Sequence, residues 1–331
     1  MNQTKARVLI VGASGFVGAA IVRAAQARHD MSPIACMRRP SPELDSIGVE
    51  TRICDASNPI ALASALQGVT YVVNSVLGSP ATMLSVTRNI CDAARNSGVR
   101  RIVHLSSMAV YGPANGVVDE TVTCLRPVGA YARAKARCEA VVRDFVASGG
   151  DAVVIRPGCV YGPGGEQWVG RIARWLRAGR VGDLGNPADG YCNLTFNDDL
   201  ANAVLACLTT PEAGREIINV ADLDSGTWNQ YFLRLGRAIG VHVGRISWLR
   251  INLEASILAP PLQIAKLAMR RAGMDPTLLP APIPPSLLRL WRQKIRLDSR
   301  KADALLAFPR TPPEQGLARS AEWFRTVAIN R

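Results

Sequence analysis

The sequence predicts an α/β chain: a doubly wound parallel sheet followed by a smaller C-terminal lobe. Three observations carry this prediction. The apolar run Val8-Leu9-Ile10-Val11 meets three glycines spaced three apart, Gly12, Gly15 and Gly18, and a helical pattern opens with Ala19, Ala20, Ile21 and Val22. Short apolar segments then alternate with amphipathic ones, as in successive βαβ units. Beyond about Gly158 the alternation breaks into shorter pieces punctuated by Gly and Pro, which suits a lobe that covers a substrate.

The glycine segment defines the first unit. A buried strand that turns sharply into a helix needs Gly12 at the turn. Gly15 leaves the backbone bare where a diphosphate approaches, and Gly18 lets helix and strand pack closely. This is a Rossmann-type cradle, and Ser14, Phe16 and Val17 fall within it. Further along, apolar runs predict strands at Arg7–Val11, Pro33–Met37, Glu50–Cys54, Tyr71–Asn74, Arg101–Leu105, Ala152–Arg156 and Ile217–Val220. Between them, helical spacing predicts Phe16–Arg28, Ile60–Leu66, Pro80–Ser97, Ala130–Ser148, Trp168–Arg177, Asp198–Thr209 and Trp228–Ile239. Ser97-Gly98 is a helix stop signal. Residues 1–157 are therefore expected to form the dinucleotide-binding domain, with about 190–222 returning to it, and 158–331 mainly the substrate-binding lobe. The only low-complexity tract is the Pro-rich 276–285.

Composition narrows the function classes. The chain of 331 residues is 48% hydrophobic and 20% charged, enough apolar material for a sizeable core. Val8–Val11 is too short for a signal peptide, and no run of about 20 apolar residues would span a bilayer. A cytoplasmic location is expected, with attachment at a membrane periphery as the alternative. The eight cysteines, at 36, 54, 91, 124, 138, 159, 192 and 207, show neither C-x-x-C nor zinc-ligand spacing, so they read as small buried residues of a reduced compartment and no metal is expected. Aromatics are 5% and not interleaved with the arginines, which argues against nucleic acid.

The spacing G-x-x-G-x-x-G resembles that of the short-chain dehydrogenase/reductases. The rest of the chain supplies that superfamily's other marks: Tyr131-Ala-Arg-Ala-Lys135, and the strand Arg101–Leu105 running into Ser106-Ser107-Met108-Ala-Val-Tyr111-Gly112. Cys54-Asp55, Ile155-Arg156-Pro157-Gly158-Cys159-Val160-Tyr161-Gly162-Pro163, Phe196–Ala201 and Leu305–Trp323 extend the likeness over nearly the whole length. The chain is thus similar to an extended member of the NAD-dependent epimerase/dehydratase family. That resemblance implies catalytic Ser107, Tyr131 and Lys135, with Ser106 supporting the strand end. It implies cofactor contacts from Gly12, Ser14, Gly15, Phe16, Val17, Gly18, Arg38, Arg39, Asp55, Ala56, Asn74, Ser106, Pro157 and Val160. It implies substrate contacts from Met108, Tyr161 and Asn193.

The chemistry follows from the residue types. A secondary alcohol that gives up a hydride must also lose its hydroxyl proton. Tyrosine, with a pKa near ~10, is too weak a base at neutral pH unless a cation stands nearby. Lys135, four residues on, shares a helix face with Tyr131 and is expected to lower that pKa. A serine hydroxyl would hydrogen-bond the substrate oxygen as charge develops, and Ser107 is preferred over Ser106 from the family pattern S-S-x-x-V-Y-G. Tyr111 is expected to pack beneath its loop.

An NAD-specific site places a carboxylate after the second strand. This chain has Arg38-Arg39 there, whose planar forks suit a 2′-phosphate, so NADP is favoured over NAD. Departures from the family pattern include the bulkier Asn74-Ser75-Val76-Leu77 and Met83 in place of an Asn.

Met108-Ala109 replaces the acidic pair of sugar-nucleotide dehydratases, and Cys192–Asp198 lacks the Arg of many nucleotide-sugar epimerases. Residues 234–331 carry 17 Lys/Arg against 6 Asp/Glu. Trp248–Arg271 mixes bulky apolar residues with cations, in the manner of a segment that lies on an anionic membrane or covers a hydrophobic substrate. A similar apolar lobe occurs in the 3β-hydroxysteroid dehydrogenase-like and dihydroflavonol reductase-like branches.

The expected function is NAD(P)-dependent interconversion of a secondary alcohol and a ketone on a sugar- or lipid-like small molecule. The alternatives are a nucleotide-sugar epimerase with retained NAD and a catalytically silent NADP-binding regulator. The retained Tyr, Lys and Ser favour an enzyme. Peripheral membrane association and a homodimer stay open.

Overall fold

The computed structural model describes residues 5–123, 126–222, 224–275 and 279–329. Seven parallel strands form one sheet: β1 Ala6–Val11, β2 Met31–Met37, β3 Glu50–Ile53, β4 Tyr71–Asn74, β5 Arg101–Leu105, β6 Ala152–Pro157 and β7 Ile217–Val220. Their spatial order is β7-β6-β5-β4-β1-β2-β3. The register runs Val11↔Cys36 on one side of β1 and Val11↔Asn74 on the other. The chain winds outward from β1 through β2 to β3, then restarts at β4 and winds the other way. A crevice therefore opens at the carboxyl ends of β1 and β4, where an open α/β sheet binds its ligand.

Helices α1 Phe16–Gln26, α2 Pro59–Ala65, α3 Pro80–Ala94, α4 Ala130–Ala147 and α5 Asn197–Thr209 cover the sheet. Two apolar layers result. One joins Val8 and Ile10 to Ile21, Val22, Leu200 and Val204 from α1 and α5. The other joins Leu9 and Val11 to Val86, Ile90, Val142 and Phe145 from α3 and α4. Successive residues of β1 thus feed opposite layers, as the pleat of a strand requires. Asn58 and Ser79 cap α2 and α3 with their side chains, and Gly98 ends the turn after α3 with φ +72°.

The chain divides into two compact units: Met1–Val160 with Thr195–Leu223 and Leu297–Thr311, and Tyr161–Leu194 with Asp224–Arg296 and Pro312–Arg331. Residues 158–331 are expected mainly in the C-terminal lobe; within them Leu297–Thr311 belongs to the sheet-bearing unit. Ala221 N donates to Ser299 Oγ at 2.8 Å, Asn219 Nδ2 to Asp298 O at 3.1 Å, and Thr311 N and Oγ1 to the Asp199 carboxylate at 2.8 and 2.6 Å.

The second unit has its own core. Trp228, Tyr231 and Phe232 of helix Trp228–Ala238 form one aromatic cluster with Trp168 and Trp291 through tilted and edge-to-face contacts, with ring centroids 5.2 to 6.4 Å apart. That helix opens on a capping box between Thr227 and Gln230. No helix among the described residues is long and apolar enough to cross a membrane. Seven cysteines are buried with free thiols. Cys124 and residues 276–278 of the Pro-rich tract lie outside the described residues.

Candidate active site

The glycine turn sits at the head of the crevice. Gly12 has φ +88°, and its amide donates to Cys36 O at 3.0 Å. A Cβ on Gly18 would fall 2.2 Å from Gly12 O, so only glycine lets α1 approach β1 this closely. A Cβ on Gly15 would meet nothing but Gly12 O, at 3.2 Å. Its bareness is not spent on protein packing. Ser14 and Gly15 are exposed, Phe16 and Val17 half-buried, and the first amides of α1 have no intrahelical acceptor. Such a cradle fits a diphosphate. Ser75 Oγ donates to Val11 O at 2.8 Å and ties the ends of β1 and β4 together. Asn197, buried on α5, donates to Phe16 O at 3.2 Å and steadies the first turn.

Arg38 and Arg39 follow β2 and are both exposed. Asp55 follows β3. The Ser57 hydroxyl and then its amide hold the Asp55 carboxyl below its ordinary range, and the Arg38 charge adds to this. Ala56 beside it is buried.

Ser107, Tyr131 and Lys135 come together in the sheet-bearing unit. The chain leaves β5 at Leu105, and the half-buried Ser107 caps a single 3-10 turn, Met108–Tyr111, by accepting from Ala109 N at 3.2 Å. Tyr131 and Lys135 stand one turn apart on α4. Lys135 is buried, and its Nζ donates to Leu105 O at 2.7 Å. Burial lowers its pKa to about 8, opposed by Cys138 and Glu139.

Tyr131 keeps 42% of its surface exposed. Protein packed around its phenol nevertheless raises the pKa, a hydrogen bond with Ser107 opposes that rise, and nearby Cys159 adds to it. The sequence reading expects Lys135 to lower this pKa. The protein groups alone do the opposite, because the ammonium is anchored on the Leu105 carbonyl while the ring pays the cost of desolvation.

Behind these residues lies a buried network that the sequence reading did not assign. Glu139, one turn beyond Lys135, accepts from Ser106 Oγ, and from Arg156 through Nε at 3.0 Å and Nη2 at 2.7 Å. The Arg156 guanidinium lies 4.7 Å from the centre of the Tyr111 ring, and Tyr111 Oη donates to Asn219 Oδ1 at 2.7 Å. Glu139 was legible as the next step of the i, i+4 series from Tyr131 and Lys135, and Arg156 lies within the quoted Arg-Pro motif. Tyr111 packs beneath its loop as expected.

The other expected contact residues are placed by the fold as follows. Ser106 turns its hydroxyl into this network, onto Glu139. Asn74 is buried, donating to Thr87 Oγ1 and His104 Nδ1 at 3.1 Å each. It braces β4 and β5. Asn193, with φ 39°, donates to Tyr191 O and Ile295 O at 3.2 and 2.8 Å inside the second unit, so its amide nitrogen serves the backbone. Met108 and Tyr161 are buried. Leu77 points outward and Met83 is buried beside Ala134 and Cys138. Pro157 and the half-buried Val160 flank Gly158, whose amide is held by Val220 O and Thr195 Oγ1, both at 3.0 Å.

A parallel sheet with a phosphate cradle at its switch point, and a Ser-Tyr-Lys set one strand away, defines a short-chain dehydrogenase/reductase-type enzyme. Residues 8–221 match the NAD dependent epimerase/dehydratase family, and the chain belongs to it. The 2′-dehydrokanamycin reductase of Streptomyces kanamyceticus is 29% identical over 71% of this chain and 67% of its own. Sterol demethylase protein B of Methylococcus capsulatus is 26% identical over 96% of this chain and 98% of its own. UDP-glucuronic acid 4-epimerase from Bacillus cereus, solved with NAD, shares the fold with a TM-score of 0.74 at 17% identity, covering 97% and 99% of the two chains.

Proposed function

We propose that the protein is an NADP-preferring oxidoreductase that interconverts a secondary alcohol and a ketone on a sugar- or lipid-like substrate. The observation that carries this reading is the gathering of Ser107, Tyr131 and Lys135 where β5 and α4 meet. The resemblance to a reductase and to a sterol demethylase protein supports it. When bound, the nicotinamide supplies or accepts the hydride.

Residues of this chain then handle the proton. In reduction, Tyr131 Oη donates its proton to the substrate oxygen as that oxygen gains charge, and Ser107 donates a hydrogen bond to the same oxygen. At neutral pH the phenol carries the proton that this direction needs. In oxidation the substrate proton passes to the phenolate, which the Ser107 hydrogen bond favours. Ser14, Gly15, Phe16 and Val17 would hold the diphosphate. The exposed Arg38 and Arg39 would face the 2′-phosphate, a group their forks bind by charge-assisted hydrogen bonds.

The test is consumption of NADPH with a panel of ketones. Tyr131→Phe keeps the ring and removes the titrating hydroxyl. Turnover should fall at least ~10²-fold with cofactor affinity nearly unchanged. Wild-type turnover in this variant refutes the assignment.

A further inference from the structure

Residues 248–271 form one helical run in the second unit: helix Trp248–Leu253, a π-turn Glu254–Leu258 and helix Ala259–Arg271. One side is used internally. Ile251, Ala255 and Ala259 are buried, and Glu254 is ion-paired with Arg180. The other side is apolar as well. Leu249, Leu253, Ile257, Leu258, Ile264 and Leu267 are all exposed, Leu249 by 69% and Ile264 by 70%. A surface helix ordinarily turns charged residues to water on this side, and a contiguous apolar stripe of this kind marks a contact surface.

The charges beside the stripe select the partner. Within 248–271 the cations are Arg250, Lys266, Arg270 and Arg271, and the single acid, Glu254, is the one turned inward to Arg180. Burial and then the adjacent Arg270 and Arg174 charges lower the pKa of Lys266, with Asp275 opposing them, so cations outnumber acids here; Arg250 also donates to Gly179 O at 3.3 Å. A second copy docked by the same face would set these cations against their own equivalents. An anionic lipid surface satisfies both features: acyl chains take the leucines and isoleucines, and headgroup phosphates take the cations.

We propose that the run Trp248–Arg271 docks this protein on an anionic membrane surface, lying in the interface with Leu249, Leu253, Ile257, Ile264 and Leu267 inserted and Arg250, Lys266, Arg270 and Arg271 at headgroup level. This association is independent of the chemistry assigned to Tyr131.

The test is co-sedimentation of the full chain with vesicles of equimolar phosphatidylglycerol and phosphatidylcholine, beside vesicles of phosphatidylcholine alone. At low salt the protein should pellet with the anionic vesicles only, and leave them as salt shortens the Debye length. Combined Arg270→Gln and Arg271→Gln should weaken binding by roughly 5-fold for each charge, about 30-fold together. Ile264→Asp, at an exposed position that leaves the fold intact, should weaken it tenfold or more. Unchanged thermal melting of both variants would assign these losses to the surface. No pelleting at low salt, or equal pelleting with neutral vesicles, overturns the proposal. So does a dimer in solution that Ile264→Asp disperses, because a second copy would then cover the stripe.

Discussion

Lys135 holds its charge where the surroundings resist it. The ammonium is buried against α4 and β5 with the Leu105 carbonyl as its hydrogen-bond acceptor, and burial brings its pKa from 10.5 to about 8. Between these values the unfolded chain binds a proton that the folded chain does not, so stability rises with pH across that window. Below pH 8 both states are protonated and the full penalty applies. Above about 10.5 both are neutral and it vanishes. A shift of this size corresponds to roughly 3 kcal/mol. Lys135→Met lacks the penalty, so the stability of the wild type relative to this variant should rise by about that amount as pH goes from 8 toward 10.5. Urea unfolding of the two proteins at several pH values measures it, and a pH-independent difference would show that the ammonium is not strained.

The Tyr131/Lys135 pair was legible in the sequence because helical spacing alone puts the two on one face. The choice between Ser106 and Ser107 was not legible from the residues, since adjacent serines are chemically alike. What separates them is Glu139, thirty-odd positions away in the chain, which captures one hydroxyl and leaves the other beside Tyr131.

Among the elements, β1, the glycine turn and α1 are the most tightly specified. With 2.2 Å between Gly12 O and a Cβ at position 18, Gly18→Ala must push α1 off β1 and distort the cradle. Overpacking of this kind costs about 1–3 kcal/mol, and cofactor affinity should fall with it. Thermal unfolding and cofactor titration read the two effects, and a variant unchanged in both would remove Gly18 from the packing argument.

Six of the seven sheet strands were legible as short, largely buried apolar runs bounded by turn residues; the edge strand β3, Glu-Thr-Arg-Ile and half-exposed, was legible from its β-branched residues and its place between turn signals. Helix ends shifted by up to three residues, as at Ala94 where Ser97 was expected. The return of 297–311 was not legible. It is held by scattered hydrogen bonds at Asp298, Ser299 and Thr311 and by Ala302 and Leu306 packed into the core, and such contacts leave no periodic trace in the sequence.

At the scale of the whole molecule, the proposed chemistry and the proposed membrane surface fall in different units. The sheet-bearing unit holds the phosphate cradle, the Arg38-Arg39 pair and Ser107, Tyr131 and Lys135. The other unit bears the apolar, cationic run 248–271. A strongly basic lobe was legible from composition. The outward side of its apolar residues was not, because residues at positions such as 251 and 253 look alike until one is packed and the other is left in water.

A reductase that turns over by net redox must exchange its NADP(H), and native mass spectrometry detects that exchange. The purified protein, incubated with equal NADPH and NADH and then passed into cofactor-free buffer, should bind NADP(H) selectively and release it on exchange. Arg38→Asp, which loses a charge-assisted contact and sets a carboxylate against the phosphate, should give up about 1.5–3 kcal/mol for each change and take NADH instead. A protein that arrives carrying NAD(H) and keeps it through exchange would contradict the account, because a cofactor that never leaves must recover its hydride within every turnover, as an epimerase requires.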